Sequence, residues 1–183
     1  NLQRHFLVNW NFCQPEKLGL DDFQEVVSPH SEPSAYHGLS QILAGGPIYS
    51  QPNIMLAYTR LFTLAREKLY ITNPYFIPNE TILDALKQAA LSGVDVRLLL
   101  PKESDSALVG AAASFYFSAL LRCGVKIYLY EKGFIHAKTA VVDSRVSVIG
   151  TANMDIRSFD LNFEIMSVIY SKNLGEEMER RFL

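Results

Sequence analysis

The sequence predicts an α/β fold in which helices flank a mixed β-sheet, and three observations predict it. Short apolar runs (KLYITNP, VDVRLLL and VKIYLY) alternate with two helix-length stretches between residues 68 and 130. After Tyr130 the helical spacing stops and β-type runs follow one another through short turns, as in hairpins. The chain has 183 residues, 49% of them hydrophobic and 20% charged, which is enough apolar material for one packed domain.

Taken in order, residues 1–13 (NLQRHFLVNWNFC) read as an amphipathic helix, with Leu2, Phe6, Val8, Trp10 and Phe12 as its apolar residues. Residues 14–46 change texture. They are rich in Pro, Gly, Ser and acidic residues and read as linker and loop, with one short strand possible at Phe23 to Val27. The main body is expected over 47–183. Pro52 to Arg66 reads as a helix with Ile54, Leu61, Leu64 and Ala65 at core positions. Lys68 to Pro74 reads as a strand. Asn79 is placed to cap a helix that Gly93 stops. Val94 to Leu100 is a buried strand closed by Pro101. Ala107 to Cys123 is a second long helix ended by Gly124, and Val125 to Tyr130 a third strand. Strand–helix–strand units of this length imply right-handed crossovers and parallel pairing. Strands at Phe134 to Val142, Val146 to Ile149 and Asn162 to Tyr170 complete the sheet, and a last helix begins near Leu174.

Composition excludes some functions. Net charge is −2, and a sequence-independent nucleic-acid binder draws its affinity from a basic surplus, so nucleic acid is not the expected partner. Cys13 and Cys123 are too far apart for a CxxC pair and read as reduced, buried thiols. Charges interrupt every apolar stretch before the roughly 20 residues a bilayer span requires. Contact with a bilayer surface is left open.

The chemistry concentrates in GFIHAKTAVVDSRVSVIGTANMDIRSFDLNFEIM. Alternate strand residues share a face, so His136 and Lys138 are expected to point the same way, and Asp143 the other. Asp143 falls at a turn, Asp143-Ser144-Arg145, and is a better candidate for bracing that turn than for touching substrate. Gly150-Thr151-Ala152-Asn153 follows a strand directly. Glycine permits close backbone approach there, and Thr151 and Asn153 offer short polar side chains, so the loop fits a phosphate cradle. Glu164 lies on the next strand. A catalytic imidazole needs its second nitrogen held by an acceptor, and Glu164 is the candidate. The aromatic run Phe115-Tyr116-Phe117 reads as helix core, and Tyr75-Phe76-Ile77-Pro78 as packing after a strand.

The order His136-x-Lys138-(x)4-Asp143, then Gly150-Thr151-x-Asn153, resembles the HKD signature of the phospholipase D superfamily. The longer run from Pro74 through Glu164 closely resembles the second half of bacterial cardiolipin synthases. The similarity covers 47–183 and reaches back to residues 1–13, which resemble the terminal helix of that family's first half. The resemblance implies a phospholipase D-like sandwich that is one of two pseudo-symmetric halves. It also implies two HKD motifs meeting at the pseudo-two-fold axis. One His forms a phosphohistidine, the other protonates the leaving alcohol, and Lys and Asn hold the phosphoryl oxygens, which suits a reaction that needs positioned positive charge. On that resemblance the catalytic set is His136, Lys138, Asp143, Asn153 and Glu164. Lys138, Thr151 and Asn153 bind phosphate, Thr151 standing where many members have Ser. No metal and no cofactor is implied. The implied substrate is phosphatidylglycerol, at a membrane surface on the cytoplasmic face.

One departure stands out. The other histidines, His5, His30 and His37, lack the x-Lys partner, so a first HKD motif is missing. The chain is expected to need either an N-terminal HKD half or a second copy of itself. Three functions are weighed: cardiolipin synthesis from two phosphatidylglycerols with release of glycerol; hydrolysis by a phospholipase or nuclease of the same superfamily; and an isolated half that pairs without turnover. The motif does not separate transfer from hydrolysis, because acceptor choice lies in pocket shape and water exclusion.

Overall fold

The computed structural model describes residues 2–22, 38–104 and 107–183, the side chains of 107–109 excepted. The chain divides into two compact units, Asn1–His37 and Gly38–Leu183. In the first unit, α1 (Leu2–Cys13) is followed by a single 3-10 turn at Leu20–Asp22. Asn11 fastens the segment after α1 by accepting from Leu18 N (2.8 Å) and donating to Leu18 O (2.9 Å). Leu2, Phe6, Val8, Trp10 and Phe12 are exposed or nearly so, and Leu7 is the buried residue of α1. The strand expected at Phe23 to Val27 lies outside the described residues.

The second unit holds the sheet. Its strands are β1 (Leu39–Gly45), β2 (Lys68–Thr72), β4 (Asp95–Pro101), β5 (Lys126–Tyr130), β6 (Thr139–Val142), β7 (Val146–Gly150) and β9 (Glu164–Tyr170). They lie in the order β1-β9-β7-β6-β2-β4-β5. The pairs β2–β4 and β4–β5 are parallel, as expected from the crossovers, and the other four are antiparallel. A small parallel ladder, β3 (Phe76–Ile77) with β8 (Met154–Asp155), stands beside the main sheet.

Helices α2 (Asn53–Leu64), α3 (Glu80–Leu91) and α4 (Ala107–Arg122) pack on the face that carries the core, and α5 (Lys172–Phe182) packs against β7, β6 and β2. The core joins Ile54, Tyr58 and Phe62 of α2, Ile82 and Leu86 of α3 and Leu120 of α4 to Leu69, Ile71, Leu98, Val148, Met166 and Val168 of the sheet. Three helix boundaries have a clear local cause. Asn79 accepts from Ile82 N (3.1 Å) and caps α3. Gly93 and Gly124 end α3 and α4 at φ +89° and +93°, a conformation that favours glycine.

The structure corrects several expectations. Residues 39–45, read as the end of the linker, form β1, which pairs antiparallel along the whole of β9. Strand pairing depends on a partner more than 100 residues away, which local texture does not reveal. The strand expected from Phe134 starts at Thr139, so His136 and Lys138 precede it. Leu64, placed in the core, is 43% exposed, while Ile54 and Ala65 are buried. Cys13, read as a buried thiol, is exposed, and Cys123 is half-buried. In the aromatic run, Phe115 is 81% exposed and only Tyr116 and Phe117 turn partly inward.

Candidate active site

Pairing register collects the candidate residues at one edge of the sheet. Thr72 at the end of β2 faces Thr139 at the start of β6, Thr139 faces Ile149 near the end of β7, and Gly150 faces Met166 near the start of β9. The segment before β6, the loop after β7 and Glu164 at the head of β9 therefore share the edge where the parallel strands end. In α/β sheets this edge is where ligands are bound.

His136 and Lys138 meet there. Lys138 Nζ lies 2.9 Å from His136 Nε2 and donates to His136 O at 3.1 Å. An ammonium has only protons to give, so Nε2 is the acceptor and Nδ1 carries the ring proton. The expected common orientation holds, although the residues precede the strand. Lys138 O accepts from Gly150 N (3.1 Å), which docks the segment on β7. Phe134 and Tyr75 flank the imidazole, with ring centroids 5.6 and 6.1 Å from it. Lys138 is only 8% exposed, and burial lowers its pKa, with the charges of Glu164 and Asp155 acting the other way. No carboxylate hydrogen-bonds it among the described residues. A buried ammonium without an ion pair is costly on its own and is suited to an anion.

The loop after β7 is held from several sides. Thr151 N donates to Ile165 O (2.9 Å), and Asn153 N to Ser158 Oγ (3.1 Å). Asn73, which is fully buried, accepts from Met154 N (3.1 Å) and Tyr75 N (3.3 Å). Together with β3–β8, this ties the loop to the end of β2. The side-chain oxygen of Asn153 is buried and has no hydrogen-bond partner among the described residues, which is unusual for a buried acceptor.

Thr151 and Glu164 are engaged with each other. The Thr151 hydroxyl donates to Glu164 Oε2 and accepts from Ile165 N (3.0 Å), and Asn162 donates to Glu164 Oε1 (3.3 Å). Among the described residues no hydrogen bond joins Glu164 to His136. Asp143 lies at the other end of β6. Its carboxylate accepts from the backbone N–H of Arg66 (3.0 Å), Glu67 (2.8 Å) and Lys68 (2.9 Å), and its φ is +52°. This is the geometry of a turn brace. Among the described residues no group of three or more His, Cys, Asp or Glu side chains is placed to hold a metal ion.

Sequence reasoning missed Asn73 and Ser158. The signal for Asn73 was present in Asn73-Pro74, a turn dipeptide after a strand. Nothing local marked Ser158, whose partner is set by a short π-helical turn, Arg157–Leu161.

Residues 58–183 match the family described as "Cardiolipin synthase, PLD-like domain". The chain belongs to the cardiolipin synthase PLD-like domain family. Cardiolipin synthases from Clostridium perfringens, Geobacillus kaustophilus and Listeria welshimeri are 44%, 45% and 40% identical to it across its full length. The chain spans 36–38% of the length of these relatives. Among solved structures, a phospholipase D family member, Nuc from Salmonella typhimurium, aligns with a TM-score of 0.66 at 20% identity, over 79% of this chain and 92% of that one. Phosphatidylserine synthase from Haemophilus influenzae aligns at 0.63 and 20% identity, over 78% of this chain and 38% of that one. At these identities the likeness is one of fold, and the fold is that of this PLD-like family. Among the described residues no helix is long and apolar enough to cross a membrane.

Proposed function

We propose that this chain supplies one of two HKD motifs for phosphatidyl transfer, joining two phosphatidylglycerols into cardiolipin with release of glycerol. The observation that carries the reading is the buried Lys138 ammonium beside His136 Nε2, which no carboxylate pairs among the described residues. A phosphodiester seated there neutralises Lys138, and the lone pair on Nε2 is the one available to attack phosphorus. In the first step a P–N bond forms to His136 and the P–O bond to the glycerol headgroup breaks. The glycerol oxygen takes its proton from the histidine of the second motif. In the second step the headgroup hydroxyl of another phosphatidylglycerol gives that histidine a proton and attacks phosphorus, releasing His136. His136 can equally stand as the acid, with the other histidine as nucleophile. Asn153 and Lys138 hold the phosphoryl oxygens. Thr151 serves by fixing Glu164, and Asp143 by bracing the strand that carries the site. The reaction is proposed to take place at a membrane surface.

Hydrolysis by two copies of this chain is the second reading. It is favoured by the match to Nuc, which covers 79% of this chain and 92% of that one, a phospholipase D family member.

The test is incubation with phosphatidylglycerol vesicles, with and without an N-terminal half taken from a cardiolipin synthase relative. The proposal expects cardiolipin and glycerol in equal amounts, lost in His136→Ala. Phosphatidic acid as the sole lipid product would overturn transfer in favour of hydrolysis.

A further inference from the structure

A second site lies at the opposite edge of the sheet. Between α2 and the strands β1, β9, β7 and β6 runs a groove of about 400 Å³, within the size range of ligand sites. Its floor and walls are Leu43, Leu61, Leu64, Val146 and Val168. The apolar stripe of α2 explains it. Ile54, Tyr58 and Phe62 are fully buried, whereas Leu61 and Leu64 continue the apolar side chains of α2 past the part that the core covers, and Leu64 is 43% exposed. Arg60 and Arg145 also line the groove, and neither guanidinium has an ion pair or hydrogen bond among the described residues. Asp143 is the acidic residue that lines it, and its oxygens are taken up by three backbone N–H groups. The groove is therefore apolar along its length and basic at its edge.

We infer that this groove binds an anionic phospholipid, one acyl chain lying along Leu43, Leu61 and Val146 and the phosphodiester meeting Arg60 and Arg145. Charge complementarity selects the occupant. Two unpaired guanidiniums match a phosphodiester, and the aliphatic lining matches a hydrocarbon chain. A zwitterionic lipid would bring a trimethylammonium group toward the same arginines. The site is separate from His136, because Asp143 and Arg145 follow β6 at its far end. The seven residue-to-residue steps from His136 to Asp143 span up to about 23 Å when extended.

The test is a titration of the methyl-labelled full chain with dihexanoyl phosphatidylglycerol below its micelle concentration. Methyl resonances of Leu61, Leu64 and Val146 are read by NMR. Saturable shifts are expected, with at least about tenfold weaker binding in Arg60→Gln/Arg145→Gln, roughly 1.4 kcal/mol. The shifts are expected to persist in Lys138→Met, which removes phosphate binding at the active site and so separates this inference from the proposed activity. Leu61→Trp, filling the groove, is expected to abolish them. Equal binding of dihexanoyl phosphatidylcholine would overturn the inference. So would shifts that track protein concentration without lipid, which would make a second copy of the chain the occupant.

Discussion

Lys138 Nζ lies 2.9 Å from His136 Nε2, and no carboxylate hydrogen-bonds either group among the described residues. The pair is a base and a buried cation held together by the backbone of a three-residue segment. Such a pair is poised for an anion and is not itself a source of stability.

Lys138→Met is expected to abolish activity and to raise stability by about 0.5–2 kcal/mol, as replacing a strained functional group often does. Burial lowers the Lys138 pKa, so the unfolded chain binds this proton more readily than the folded one. Wild-type stability should therefore gain on the variant as pH rises from the folded value toward the ordinary lysine range. Paired urea melts across alkaline pH check this. A gap that does not narrow would contradict the assignment.

Asp143→Asn keeps a side chain that tolerates positive φ but removes the charge that three backbone N–H groups share. A loss of about 1–2 kcal/mol in stability is expected, with kcat of the remaining folded protein nearly unchanged. A variant as stable as wild type but inactive would place Asp143 in the chemistry instead.

Asn73→Ala removes the acceptor for Met154 N and Tyr75 N. The loop bearing Asn153 should loosen. Activity is expected to fall by about tenfold or more through misplacement, and the Met154 amide to exchange faster with solvent. Unchanged exchange would show that β3–β8 holds the loop alone.

Asp95 receives Tyr70 (3.0 Å), Arg97 (2.9 Å) and Lys126 (2.7 Å). Burial pushes its carboxyl up, but these hydrogen bonds and the Arg97 charge outweigh it and hold the pKa at about 2. The folded value is below the unfolded one, so this contribution is complete above about pH 4 and is lost as pH falls from about 4 to 2. Thermal melts over that window should show a shallower loss in Asp95→Asn than in wild type.

Gly175 lets α5 touch the β6–β7 turn. A Cβ there would come within 2.3 Å of Ser144 O. Gly175→Ala is expected to cost about 3 kcal/mol or more, because backbone cannot yield as a flexible side chain can. Wild-type stability in this variant would mean that α5 is free to shift.

Much of this was legible in the sequence. The alternation of apolar runs with capped helices wrote out β2, α3, β4, α4 and β5, because those elements follow from local periodicity and from Asn79, Gly93 and Gly124 at their ends. The sequence interval His136-x-Lys138 also announced the pair that meets at the sheet edge. β1 was not legible, since seven residues in a loop-like context become a strand only when β9 offers its edge. Nor was the engagement of Thr151 with Glu164, which depends on how far β9 slides past β7.

Spacing along a few residues is enough to set the α/β class, the parallel half of the sheet, the motif residues and the turn role of Asp143. Packing across the fold makes Asn73 clamp the Asn153 loop and leaves Lys138 buried without an ion pair among the described residues. It alone also decided that α2 and the sheet leave an apolar groove edged by Arg60 and Arg145. These are contacts between residues far apart in the chain, and no local pattern encodes the distance at which packed elements come to rest.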